Sequence, residues 1–188
     1  MAYSSWSVVF GEQPSAAKWN ILGTNDASFD TYIGSGTNAI QQMVYTQTGA
    51  VASGTGTIPL DDTIPQSGEG TQFLTKAITP KSATNILRID TTLNLYFNGS
   101  AVHMIGALFQ DSTANALASS VGYIADSGGD IIISFTHLMV AGTASATTFK
   151  VRAGGNSAGT TVLNGSAGPA RWLGGVAASS ITITEYKV

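Results

Sequence analysis

The chain has 188 residues, a formal net charge of -3, 10% charged residues and no cysteine. That length holds one domain, or one domain with a small appendage. The scattered basic residues exclude the cationic field that nucleic acid or an anionic membrane would require, and the missing thiols exclude disulfides and thiolate metal centres.

The first fourteen residues lack a basic leader region, and no run reaches eighteen apolar residues. Synthesis in the cytoplasm without a signal peptide or membrane span is therefore expected. Pro14 and Ser15 carry helix-start chemistry. Beyond them Trp19, Leu22, Asp26, Phe29 and Ile33 follow alternating spacings of three and four, the seam pattern of paired helices. The spacing predicts a short α-helix over about 15–33, ended by Gly34, Ser35 and Gly36. So short a helix is marginal alone, which makes Trp19, Leu22, Phe29 and Ile33 candidates for anchoring or oligomerisation within a segment 1–41.

From about residue 42 the apolar period becomes two. Strands are predicted at 42–48, 71–78, 86–97, 101–110, 120–125, 130–140, 147–153, 171–176 and 179–188, with 49–70 as a long loop or extended arm. In the strongest of them Leu87, Ile89, Thr91, Leu93, Leu95 and Phe97 face one way. Asn98 and Gly99 suggest a type I′ hairpin that pairs this strand with the next. Short strands without intervening helices predict an all-β fold, an antiparallel jelly-roll-like β-sandwich over 42–188.

Candidate chemistry is thin. Asp126, Ser127, Gly128 and Gly129 resemble the heart of a serine nucleophile loop, which needs a histidine base and a buried carboxylate. His103 is too near in sequence and His137 falls inside a strand, so a turn is the expected role. "GGNSAGTT" at 154–161 has phosphate-loop glycines but Thr160 in place of the lysine, and is expected to be a hairpin tip. Asp61, Asp62 and Glu69 lack the acidic spacing of a calcium loop. Asp90 with Asp111 is the pair to test for two-carboxylate hydrolysis. His103 and His137 share the phase of apolar neighbours and are read as interior or subunit-interface groups; Trp172 is a candidate ligand contact. No catalytic residue, metal or cofactor is expected.

"GEQPSAAKWNILGTNDASFD", "GTGTIPLDDTIPQSGEGTQFLTKAITPKSATNILRID", "ALFQDSTANALA", "TTFKVRAGG" and "ASSITITEYKV" together resemble virion surface proteins of tailed bacteriophages and prophages, of the tail-fibre or capsid-fibre type. The resemblance implies a non-enzymatic virion protein. Its β-sandwich head would form a homotrimer, attach to other virion proteins through the N-terminal segment, and contact a host-surface glycan or protein through loops such as 111–119 and 154–168. A capsid decoration protein and a carbohydrate-binding module with Tyr96, Tyr123 or Trp172 as its platform are the competing readings.

Overall fold

The computed structural model describes residues 39–168 and 170–188. The helix expected over 15–33, with Trp19, Leu22, Phe29 and Ile33, lies outside the described residues. Within them the fold is all-β and antiparallel. The strands are β1 (Ile40–Thr48), β2 (Ala52–Gly54), β3 (Thr71–Ile78), β4 (Ile86–Asn98), β5 (Val102–Gln110), β6 (Ala118–Ile124), β7 (Gly129–Val140), β8 (Thr147–Gly155), β9 (Thr160–Leu163) and β10 (Ser179–Tyr186). One sheet runs β1-β10-β4-β9-β2, with β7 on the other side of β4, and the second runs β3-β8-β5-β6.

β4 shows why this sequence makes a two-sided strand. Leu87, Ile89, Thr91, Leu93, Leu95 and Phe97 are buried, while Arg88, Asp90, Thr92, Asn94 and Tyr96 are more open, as the alternation predicts. The buried set meets Met104 and Leu108 of β5, Phe149 and Val151 of β8, and Ile181 and Ile183 of β10 in one core between the sheets. Thr91 is the polar exception, because its buried Oγ1 has no hydrogen-bond partner among the described residues. Replacing it by valine removes an unpaired hydroxyl without changing shape. Thr91→Val is expected to raise unfolding stability by about 1 kcal/mol in denaturant titration.

Two expected hairpins and one expected strand take other forms. β4 and β5 belong to opposite sheets, so the chain crosses the core at 99–101, and neither Asn98 nor Gly99 takes positive φ. A crossing needs no I′ turn. Residues 154–161 likewise join β8 of one sheet to β9 of the other instead of closing a hairpin. Their glycines answer to packing: a Cβ on Gly155 or Gly159 would come within 2.9 or 2.2 Å of the Phe97 ring. Residues 171–176 are not a strand; Trp172–Gly175 form a tight turn in which Leu173 and Gly174 have φ of 49° and 69°. Two successive left-handed residues cannot continue a strand.

The arm at 49–70 is ordered against the protein. It contributes β2, and it lays Ile58, which is fully buried, over Ile105, Ala107 and Phe109 on the outer side of β5. The Ile58 amide donates to Gly155 O at 3.1 Å, and Arg152 holds the carbonyls of Glu69 and Gly70 at 2.6 and 2.8 Å. β5 is therefore covered on both faces, which is why its sequence is apolar in both phases. Ile58→Ala is expected to cost about 2–3 kcal/mol, with proteolytic cleavage appearing first between residues 55 and 70.

At one end of the sandwich the two sheets are tied together by polar groups. Gln42 and Thr46 of β1 donate to the carbonyls of Thr79 and Thr75. Beside them lies Glu185, with no exposed surface. Its carboxylate accepts from Gln42 Nε2 at 2.5 Å, Asn85 Nδ2 at 2.6 Å, the Lys81 amide at 2.7 Å and the Ser82 amide at 3.3 Å.

Candidate functional site

The outer face of the larger sheet is open, and register places its side chains in rows. Val140, Ile86, Tyr186 and Ile40 form the first row. Leu138, Arg88, Thr184 and Met43 form the second, and Thr136, Asp90, Thr182 and Tyr45 the third. Ile40, Met43, Tyr45, Leu138 and Val140 are each more than half exposed, Leu138 at 61%. Between β7, β4 and β10 a groove of about 660 Å³ is lined by Ile86, Arg88, Leu138, Met139, Val140 and Tyr186. Arg88 spends its charge on Asp90, whose carboxylate also accepts from Thr136 Oγ1 at 2.6 Å. That pair raises the guanidinium's affinity for its proton. The result is a nearly neutral, apolar surface with one internally satisfied ion pair.

The candidate reactive groups lie apart from one another. Asp90 stands on the larger sheet, whereas Asp111 follows β5 of the smaller one and is consumed by Thr147 Oγ1 at 2.7 Å and the Thr148 amide at 2.7 Å. Asp61 folds back on the amide and hydroxyl of Thr63, bonds that lower its pKa. Glu69 caps the Gln66 amide at 2.8 Å. Among the described residues no three His, Cys, Asp or Glu side chains converge as a metal site. Ser127 is exposed in the link from β6 to β7, where Gly128 has φ of 78°.

The two histidines are not brought together. His103 is half-buried on the smaller sheet, with its ring centroid 4.7 Å from that of Tyr123. His137, half-buried on β7, sits opposite Ile89 with its side chain in phase with Ile133, and burial lowers its pKa, so it is neutral near pH 7. Trp172 is half-buried in its tight turn. Of the three rings considered as a sugar platform, Tyr123 is the open one, at 58% exposure, while Tyr96 is half-buried.

Leu138, Val140 and Met43 were not singled out by the alternation, yet a signal for them exists. In "DIIISFTHLMV" the residues 131, 133, 135 and 139 are apolar, and so are 132, 138 and 140. A strand apolar in both phases is built for cover on both faces.

The family profile described as Chlam_vir, the Pgp3 C-terminal domain, matches residues 57–188. The chain belongs to this family. Its Pgp3-type domain takes in β3 to β10 and most of the arm. No curated protein matches the sequence. Among solved structures, dimeric latent PorU from Porphyromonas gingivalis is similar over 81% of the chain at 6% identity and a TM-score of 0.37; the chain spans 14% of that protein. The VP2 subviral particle of infectious bursal disease virus is similar over 80% of the chain, at 10% identity and a TM-score of 0.33, with 39% of VP2 spanned. A structure titled for CBM4 is similar over 65% of the chain and 92% of its own length, at 13% identity and a TM-score of 0.30. At these scores the likenesses carry no argument about function.

Proposed function

We propose that the chain is a non-enzymatic structural head that associates with copies of itself through the outer face of its larger sheet. The observation that carries this reading is the exposed row of Ile40, Met43, Leu138 and Val140 around one neutralised ion pair. An uncovered apolar face of this kind marks an association surface in a soluble protein. The closed assembly favoured by the resemblance is a homotrimer, which would also shield sheet edges from stray pairing. Attachment of the N-terminal segment to a larger particle, of the tail-fibre or capsid-fibre type, rests on that resemblance, as does contact with a host surface.

We further read the sandwich as a jelly roll. The orders β1-β10-β4-β7 and β3-β8-β5-β6 support two Greek keys wound into an eight-stranded jelly roll, with β2 and β9 as additions. Jelly rolls serve many unrelated functions, so the surface and not the fold supports the assembly.

Light scattering coupled to gel filtration tests the reading. The wild-type protein is expected to run as a multiple of 19.3 kDa. Leu138→Asp, which places an unpaired charge in the contact, is expected to run as single chains with an unchanged circular dichroism spectrum. A wild-type protein that stays monomeric at high micromolar concentration refutes the proposal.

A further inference from the structure

The sequence contains two Asn-Gly pairs, Asn98–Gly99 and Asn164–Gly165, and the fold treats them in opposite ways. We propose that Asn98–Gly99 is a self-modifying site, at which the asparagine converts spontaneously to aspartate and isoaspartate in the native protein while Asn164 is protected. The inference is independent of how the head assembles.

The reaction needs only the chain and water. The backbone nitrogen of Gly99 attacks Cγ of Asn98, a new C–N bond closes a five-membered succinimide, and the Cγ–Nδ2 bond breaks. Ammonia leaves with the proton from the Gly99 nitrogen. Water then opens the ring at either carbonyl, giving aspartate or the isoaspartyl link. The requirements are a free side-chain amide, an available backbone nitrogen and no β-carbon on the following residue to obstruct the approach.

Asn98 meets them. It is exposed and is the last paired residue of β4, opposite Thr160. One residue on, among the described residues, the Gly99 amide donates to no backbone carbonyl in the crossing to β5. Glycine is also imposed there, because a Cβ would stand 2.4 Å from the Phe97 ring. The most reactive following residue is thus built into the packing.

Asn164 shares the following glycine but fails the first requirement, a free side-chain amide. It is fully buried with φ of 57°. Its Nδ2 donates to Thr48 O at 2.8 Å and Ala50 O at 3.1 Å, and its Oδ1 accepts from Ser179 Oγ at 2.7 Å. All three bonds must break before Cγ can turn toward the Gly165 nitrogen.

The conversion would matter at the surface it alters. Asn98 lines a cleft of about 530 Å³ together with Val51, Ser53, Thr160, Val162 and Ser166, all uncharged. A carboxylate at 98 would be the charge in that lining, and an isoaspartyl link would lengthen the backbone where β4 leaves its sheet.

The test is incubation of the full-length protein in mildly alkaline buffer, with peptide mapping by mass spectrometry and fragmentation that separates isoaspartate from aspartate. Position 98 is expected to convert at least roughly tenfold faster than 164, since the three hydrogen bonds hold the latter. In strong denaturant the two are expected to converge to within a few-fold. Asn98→Gln, whose longer side chain cyclises poorly, is expected to abolish the new acidic species on anion exchange. Native Asn98 converting no faster than native Asn164, while both convert in denaturant, overturns the proposal.

Discussion

Replacing Glu185 by alanine is expected to cost about 3–5 kcal/mol of unfolding free energy and to lower the melting temperature by about 10 °C in a chain of this size. The carboxylate is wholly buried and accepts four hydrogen bonds, yet its donors are neutral: two side-chain amides and two backbone amides. Burial pushes its pKa up, and the bonds from Gln42, Asn85, Lys81 and Ser82 outweigh burial and bring it below the usual carboxylate value. Alanine removes the acceptor and strands the buried Asn85 amide with the turn at 81–82. Glu185→Gln keeps the shape and one accepting oxygen but offers a second donor to Gln42, and is expected to cost about 1–2 kcal/mol.

The pH dependence follows from the direction of the shift. A carboxylate with a depressed native pKa contributes stability that is fully present above its unfolded value of about 4.3, and that is lost as pH falls through the native value. Half-buried His137 acts in the same direction from a higher starting point, because the unfolded chain takes up its proton below about pH 6.5 and the folded one resists. Denaturant titrations at fixed protein concentration should therefore show two successive losses on acidification. Glu185→Gln should retain the first and lack the second; equal acid sensitivity in wild type and Glu185→Gln would remove Glu185 from the account.

How far the sequence revealed this fold depended on whether a signal was local. β4 could be read residue by residue, since Leu87 to Phe97 face a single core and alternation reports a single core directly. β3 and β8 were placed for the same reason. β9 was hidden inside a glycine-rich run because Gly155 and Gly159 answer to the ring of Phe97, some sixty residues earlier in the chain. The strand expected at 171–176 failed because an apolar Arg-Trp-Leu opening says nothing about the left-handed φ of Leu173 and Gly174. The Asn98–Gly99 hairpin failed because sheet membership is set by which strands return beside β4, namely β7, β9 and β10, and not by the turn that follows it.

The candidate surface was legible only in outline. Low charge implied that something other than charged side chains covers the protein, but locating Leu138 beside Arg88 and Met43 two strands away required the register of β7, β4, β10 and β1. Glu185 gave no sign at all. It closes a strand, "SSITITEY", in which it continues the phase of Ile181 and Ile183, and a charged residue in an apolar phase is readable only once its partners from Gln42, Lys81, Ser82 and Asn85 are known.

Phe97→Ala is expected to cost about 3–5 kcal/mol, the cost of emptying a large aromatic site in a core that cannot collapse around it. Collapse is prevented by backbone, not side chains. The ring is roofed by Gly99, Gly155 and Gly159, whose missing β-carbons let two crossing segments lie directly on it, and it touches the same core as Leu95, Val102 and Leu163. Removing the ring leaves a cavity beneath two of the connections that join the sheets, β4 to β5 and β8 to β9, so the loss should be cooperative and not confined to a loop. Gly159→Ala probes the same contact from the other side: its Cβ would fall 2.2 Å from the Phe97 ring, and overpacking of this kind costs about 1–3 kcal/mol. In the Phe97→Ala background that clash no longer exists. A double-mutant cycle should therefore show the second substitution becoming nearly neutral, a coupling of about 1–3 kcal/mol; additive costs would mean that the glycines at 99, 155 and 159 serve the backbone alone and that the ring does not set the path of the crossings.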